Sequence, residues 1–113
     1  MSTASRGRDS EYRVRDHLID NGWPFIMRAA ASKGSGDLLH GHPYNGALLV
    51  QVGRASKTLG PASRHRLVAD ADLIGAIPVL AVVLPRRPIT YWHVTLGKPG
   101  SWLPFNPTRG TSA

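Results

Sequence analysis

The sequence has no cysteine, which excludes disulfides, thiolate metal sites and cysteine nucleophiles together and agrees with a reducing cytoplasm. Acidic residues are scarce. Seven Asp and Glu stand against 14 Lys and Arg, for a formal charge of +7 and a pI near 10.9. Long apolar runs are missing as well: the longest, Ile77 to Leu84, is far too short to cross a bilayer, and the opening MSTASRGRDSEY has no apolar core behind its charges. Neither secretion nor membrane insertion is signalled. No segment pairs a basic face with a long apolar face, so a membrane surface is a poor partner, and no internal repeat is present. The surplus of positive charge on so short a chain points to a polyanion, with nucleic acid first.

What is present reads as one folding domain. The 113 residues are enough for one hydrophobic core, and the 42% of hydrophobic residues fall in runs between turn signals. Residues 1–8 are small, polar and basic and read as a flexible arm. A helix is predicted from about Asp9 to Asp20, capped by Asp9 or Ser10 and stopped by Asn21-Gly22. Trp23 to Arg28 reads as a strand with Pro24 at its start or on an edge, and the small-residue loop Ala29 to Gly36 follows. Asp37 to His40 and Ala47 to Val52 form a hairpin about the turn Gly41 to Gly46. After a polar loop from Gly53 to Gly60, the spacing of Leu67, Val68, Ala71 and Ile74 predicts a second helix from Pro61 to near Gly75. Pro78 to Leu84 reads as a central strand, the turn Pro85-Arg86-Arg87-Pro88 follows, and Ile89 to Val94 is a last strand. The class is therefore α/β, in the order α-β-β-β-α-β-β with about five strands. Residues 9–94 make the domain, and 95–113, rich in Gly and Pro, read as an extended C-terminal tail that packs or frays.

Three polar residues stand where apolar ones are expected. On a helical wheel Glu11 lies amid Tyr12, Val14, Leu18 and Ile19, which aims its carboxylate at the core, where it needs a cation, a metal or hydrogen bonds. A pair with Arg28 or Arg15 satisfies that need as well as a catalytic role does. Asp37 opens an apolar strand behind a glycine-bearing loop, a place that holds a carboxylate at a sheet end or simply marks a turn. Gln51 interrupts Leu48-Leu49-Val50-Gln51-Val52, where a buried polar side chain must find hydrogen bonds or a ligand. Weaker signals are His40-x-His42, two imidazoles with no matched third zinc ligand, and Gly34-Ser35-Gly36, which lacks the ending of a phosphate loop. No nucleotide cofactor is implied. Trp23, Trp92 and Trp102 are stacking candidates whose commoner use is core packing.

In these residues the sequence resembles the PD-(D/E)xK nuclease superfamily, and within it the archaeal-type Holliday-junction resolvases, in the variety that phages of actinobacteria encode. The likeness spans about residues 5–94: Arg6-Gly7-Arg8 and Glu11, then Arg28 and Ser32, Gly36-Asp37, Val50-Gln51-Val52, and the helix leading to Pro78-Val79-Leu80-Ala81-Val82. Gln51 stands where the second acid is usual and Gly53 where the lysine is usual. The resemblance implies a restriction-endonuclease-like core with a mixed central sheet flanked by helices, a homodimer, and four-way DNA junctions as partner. It implies a cytoplasmic setting, that of the host cell for a phage protein. It also implies Mg²⁺, with Mn²⁺ able to substitute, held by Asp37, Gln51 and Glu11. A glutamine carbonyl can ligate a hard cation but adds no negative charge.

The implied reaction is phosphodiester hydrolysis at Glu11, Asp37 and Gln51. Ser32 is placed near a phosphate or a bound water, with a solvent-facing loop hydroxyl as the alternative. Lys57 is expected to reach the space beside Gly53 and replace the missing lysine. Lys33 competes for that role, and both lysines also read as plain phosphate contacts. Arg6, Arg8, Arg28, Lys33, Arg54, Arg64 and Arg66 are the expected DNA contacts. A non-catalytic DNA-binding module on the same fold, and a nuclease for other branched or duplex DNA, remain open on sequence alone.

Overall fold

Two helices enclose a mixed sheet in the computed structural model, which describes the backbone of residues 3–28, 37–53, 57–108 and 111–112 and their side chains other than those of 3–8 and 111–112. Helix α1, Thr3–Asp20, starts ahead of the expected Asp9, so the segment read as a flexible arm carries helical backbone from Thr3 onward. Nothing in Thr3 to Arg8 breaks a helix: there is no proline, and Gly7 is the one poor helix former there. Its C-terminus follows the sequence. Gly22 has φ +90°, its N–H donates to the Ile19 carbonyl, and the Trp23 N–H donates to Leu18 at 2.9 Å. These are the paired bonds of a Schellman cap, sealed by contact between buried Leu18 and Trp23.

Strands β1 (Phe25–Arg28), β2 (Leu38–His42), β3 (Gly46–Gly53), β4 (Ala76–Val82) and β5 (Thr90–His93) pair in sequence order, with α2 (Pro61–Ile74) crossing from β3 to β4. That pair is parallel and the others are antiparallel. Pro24 lies just before β1, which is the sheet's edge and so tolerates it. Gly75 caps α2 in the left-handed conformation, φ +71°. The five expected strands are all present, and the presumed tail adds two more: β6, Leu103–Asn106, pairs with β5, and β7, Thr111–Ser112, pairs with β6. Buried Trp102 and Phe105 explain the difference, because each anchors the tail in a different half of the core.

Strand alternation divides that core. Leu48, Val50, Val79 and Ala81 pack with Val14, Leu18 and Trp23 under α1, while Leu49, Leu80 and Val82 pack with Leu67 and Ala71 under α2. β3 and β4 are covered on both faces, which is why they read as continuous apolar runs. Of the expected neighbours of Glu11 on α1, Val14 and Leu18 are fully buried, but Tyr12 and Ile19 remain 43% and 45% exposed. The topology also sets a polarity. β2 begins, and β1, β3 and β4 end, at one edge of the sheet, where α2 also begins.

Candidate functional site

Asp37 sits at that edge, one residue before β2. Its N–H donates to the Val50 carbonyl at 2.7 Å, and its carboxylate Oδ2 accepts the Val52 N–H at 2.8 Å. The side chain thus takes over the ladder where β2 stops pairing, which fixes it against β3. Burial raises its pKa above the ordinary carboxylate value; the Val52 N–H opposes this, the charge of Glu11 adds to it, and that of Arg28 opposes it. Asp37, Glu11 and Arg28 therefore share one electrostatic environment.

Glu11 comes to the same place from α1. Its Oε1 accepts Arg28 Nε at 2.8 Å, with the glutamate side chain 16% exposed and the arginine 51%. The pair that the sequence offered as one way to satisfy this carboxylate is thus formed, and it brings Glu11 to the end of β1 beside Asp37. Gln51 is placed by register alone. With Leu38 opposite Val50, the register carried one residue further sets Asp37 opposite Gln51, on the α2 face that also carries Leu49. Among the described residues no group of three His, Cys, Asp or Glu is arranged to hold a metal.

At Gly53 a Cβ would meet Leu80 Cδ1 at 3.5 Å and the Ala81 carbonyl at 3.9 Å, both ordinary contacts, so a side chain fits there. Lys57 is not what fills the space. Its ammonium lies 4.1 Å from the centre of the Trp92 ring, and Trp92 stands two strands from Gln51 in the row Gln51, Leu80, Trp92. The expected compensating lysine is thus held elsewhere by a cation–π contact. Ser32, Lys33 and Arg54 lie outside the described residues, as does the loop 29–36. Arg6 and Arg8 lie on the first turns of α1, where only the backbone is described. Arg64 and Arg66 are in the first half of α2, at the site end of the sheet, half-buried and exposed respectively.

The weaker sequence signals resolve into structure. His40 is fully buried, with Nδ1 donating to the Trp23 carbonyl at 2.9 Å. His42 packs on the Trp23 ring and accepts the N–H groups of Tyr44 and Asn45 through Nδ1, so the two imidazoles serve core and turn. Trp23 donates to Pro107 and Trp102 to Gly97, each from a buried ring. Sequence reasoning missed Arg13. Its guanidinium donates to the carbonyls of Leu84 and Arg87, tying α1 to the β4–β5 turn. Nothing in the spacing of an exposed helical arginine signals a bond to a residue 71 positions away.

The arrangement of strands and helices places the chain in the class of restriction-endonuclease-like α/β folds. Among solved structures it is similar to the 1.6 Å structure of Archaeoglobus fulgidus Hjc, a Holliday junction resolvase from an archaeal hyperthermophile, with a TM-score of 0.62 and 23% identity over 73% of this chain and 74% of that one. No protein-family model and no curated protein matches the sequence.

Proposed function

We propose that this chain is a structure-selective endonuclease that binds four-way DNA junctions and hydrolyses phosphodiester bonds at the Asp37 end of the sheet. The observation that carries this reading is the meeting of Asp37 and Glu11, two carboxylates whose charges act on one another, at the edge of a resolvase-like fold. The donors there are hard oxygens. Among the described residues one oxygen of Asp37 and one of Glu11 are bonded, which leaves the second of each as a candidate donor, and Gln51 would offer a carbonyl. Such a set suits Mg²⁺ or Mn²⁺, and a cation would relieve the burial that raises the Asp37 pKa. When bound, the ion would polarise the phosphate and lower the pKa of a water.

The chain's own residues supply the rest. The Val52 N–H fixes Asp37, and Arg28 Nε holds Glu11 Oε1 at 2.8 Å. Ser32, Lys33 and Arg54, close in sequence to Asp37 and Gly53, would meet the scissile phosphate. Arg6, Arg8, Arg64 and Arg66, on the helix turns nearest that edge, would grip the backbone, and Lys57 would do so from its seat on Trp92. A homodimer would present two such sites to two strands of a junction. A second reading, a non-catalytic binding module, is favoured by one set of observations: Gln51 and Gly53 lack the usual acid and lysine, and Glu11 is already paired.

Competition binding tests the substrate. Labelled four-way junction should be displaced far better by unlabelled junction than by duplex or single strand, and Asp37→Asn should leave that order unchanged. Equal displacement by all three competitors would reduce the reading to general DNA binding.

A further inference from the structure

The β4–β5 connection breaks a local rule. The Arg87 N–H donates to the Leu84 carbonyl at 3.3 Å, closing a β-turn with Pro85 at its second position and Arg86, φ +60°, at its third. Proline followed by a positive φ is the pattern of a type II turn, whose third position favours glycine. An arginine there carries backbone strain of about 1 kcal/mol or more. The turn is nevertheless held firmly: Arg13 of α1 donates to both its first and last carbonyls, Leu84 and Arg87. Arg86 and Arg87 are exposed, and neither forms an ion pair among the described residues. The guanidinium that is bonded is spent on shape, while the two that are presented are left to solvent.

The turn stands at the site end of the sheet. The Val83 N–H donates to the carbonyl of Gly53 at 2.8 Å, so Arg86 lies at most about 10 Å of chain beyond the end of β3. Counted across the strands from β2, it is displaced from Asp37 by two or three spacings, about 10–14 Å, and its offset along the strands adds to this. That separation is at least comparable with the wider DNA groove, about 12 Å across. On the α1 side of the turn, Asp16 and Asp20 line a hollow together with Arg13 and Pro88, and Asp16 is paired with Arg15 at 3.1 Å.

We propose that this turn is a second phosphate-binding point, where Arg86 and Arg87 grip a DNA backbone across a groove from the phosphate at Asp37, and that Arg13 is its positioning residue. The proposal rests on the DNA-binding reading above. The test is titration of labelled four-way junction at several salt concentrations with the full chain and with Arg86→Gly/Arg87→Gln, in which glycine suits the positive φ and folding is spared. Affinity should fall about tenfold, and the slope of log affinity on log salt should flatten by about 1.8, at about 0.9 per lost phosphate contact. Arg13→Gln should weaken binding in the parent and add nothing in the Arg86→Gly/Arg87→Gln background. The same loss in both backgrounds would make Arg13 merely structural and overturn its positioning role. A parent that binds while the double variant keeps its affinity and slope overturns the turn proposal and leaves the DNA reading standing. A parent that binds no DNA overturns both.

Discussion

Asp37 is held by a backbone N–H on one oxygen, and on the proposed reading Gln51 and Gly53 are the two positions whose chemistry would strengthen its site. Gln51 provides no charge and Gly53 no cation, yet the space at Gly53 admits a side chain. We therefore expect Gln51→Glu/Gly53→Lys to raise the Mg²⁺-dependent cleavage rate by about tenfold to a hundredfold, the scale of one transition-state contact, in a single-turnover junction assay. A rate at or below the parent's, with folding intact, would mean that the cluster does not act as proposed. His40 gives a second residue-scale prediction. Its Nδ1 proton is bonded to Trp23, its Nε2 has no partner among the described residues, and burial, with Arg15 adding to it, lowers its pKa below 6.5 against the opposing carbonyl bond. Because the unfolded chain binds that proton more readily, the contribution is fully present above about pH 6.5 and is lost as pH falls toward the folded value. Thermal melts across this range should show a shallower acid loss for His40→Asn, with His93, also lowered by burial, supplying what remains. An unchanged pH dependence would contradict the assignment.

At the scale of elements, much was legible because local chemistry dictates it. Asn21-Gly22 and Gly75 marked the helix ends by their tolerance of positive φ, and both are left-handed caps. Gly22→Ala should lower stability by about 1 kcal/mol in a urea titration, since alanine gains strain at φ +90° and its Cβ would meet His42 Nε2 only at an ordinary 3.8 Å; no loss would mean that the cap is dispensable. The strands of the hairpin and of the crossover were legible through runs and alternation. β6 was not, because a four-residue strand beside Gly and Pro has no periodicity of its own, and Trp102 and Phe105 seat it through contacts distant in sequence. The same limit hid the site's details. The helical wheel placed Glu11 facing inward and the strand end placed Asp37, but the choice of Arg28 as partner, Lys57 over Trp92 and Arg13 on the turn are all tertiary matters.

The whole molecule carries a charge of +7, and its topology brings the two acids, the start of α2 with Arg64 and Arg66, and the β4–β5 turn to one end of the sheet. On the proposed reading, the two acids would hold a divalent ion and the cations around them would hold the phosphate backbone. The most direct measurement of that claim is incubation of end-labelled four-way junction with Mg²⁺ and either the parent chain or Asp37→Asn, read on a denaturing gel. The account predicts discrete nicks in junction strands with the parent and none with Asp37→Asn, although both bind the junction. Cleavage by Asp37→Asn at the parent's rate would contradict it, and binding by the parent without any cleavage would leave a DNA-binding module in place of the enzyme.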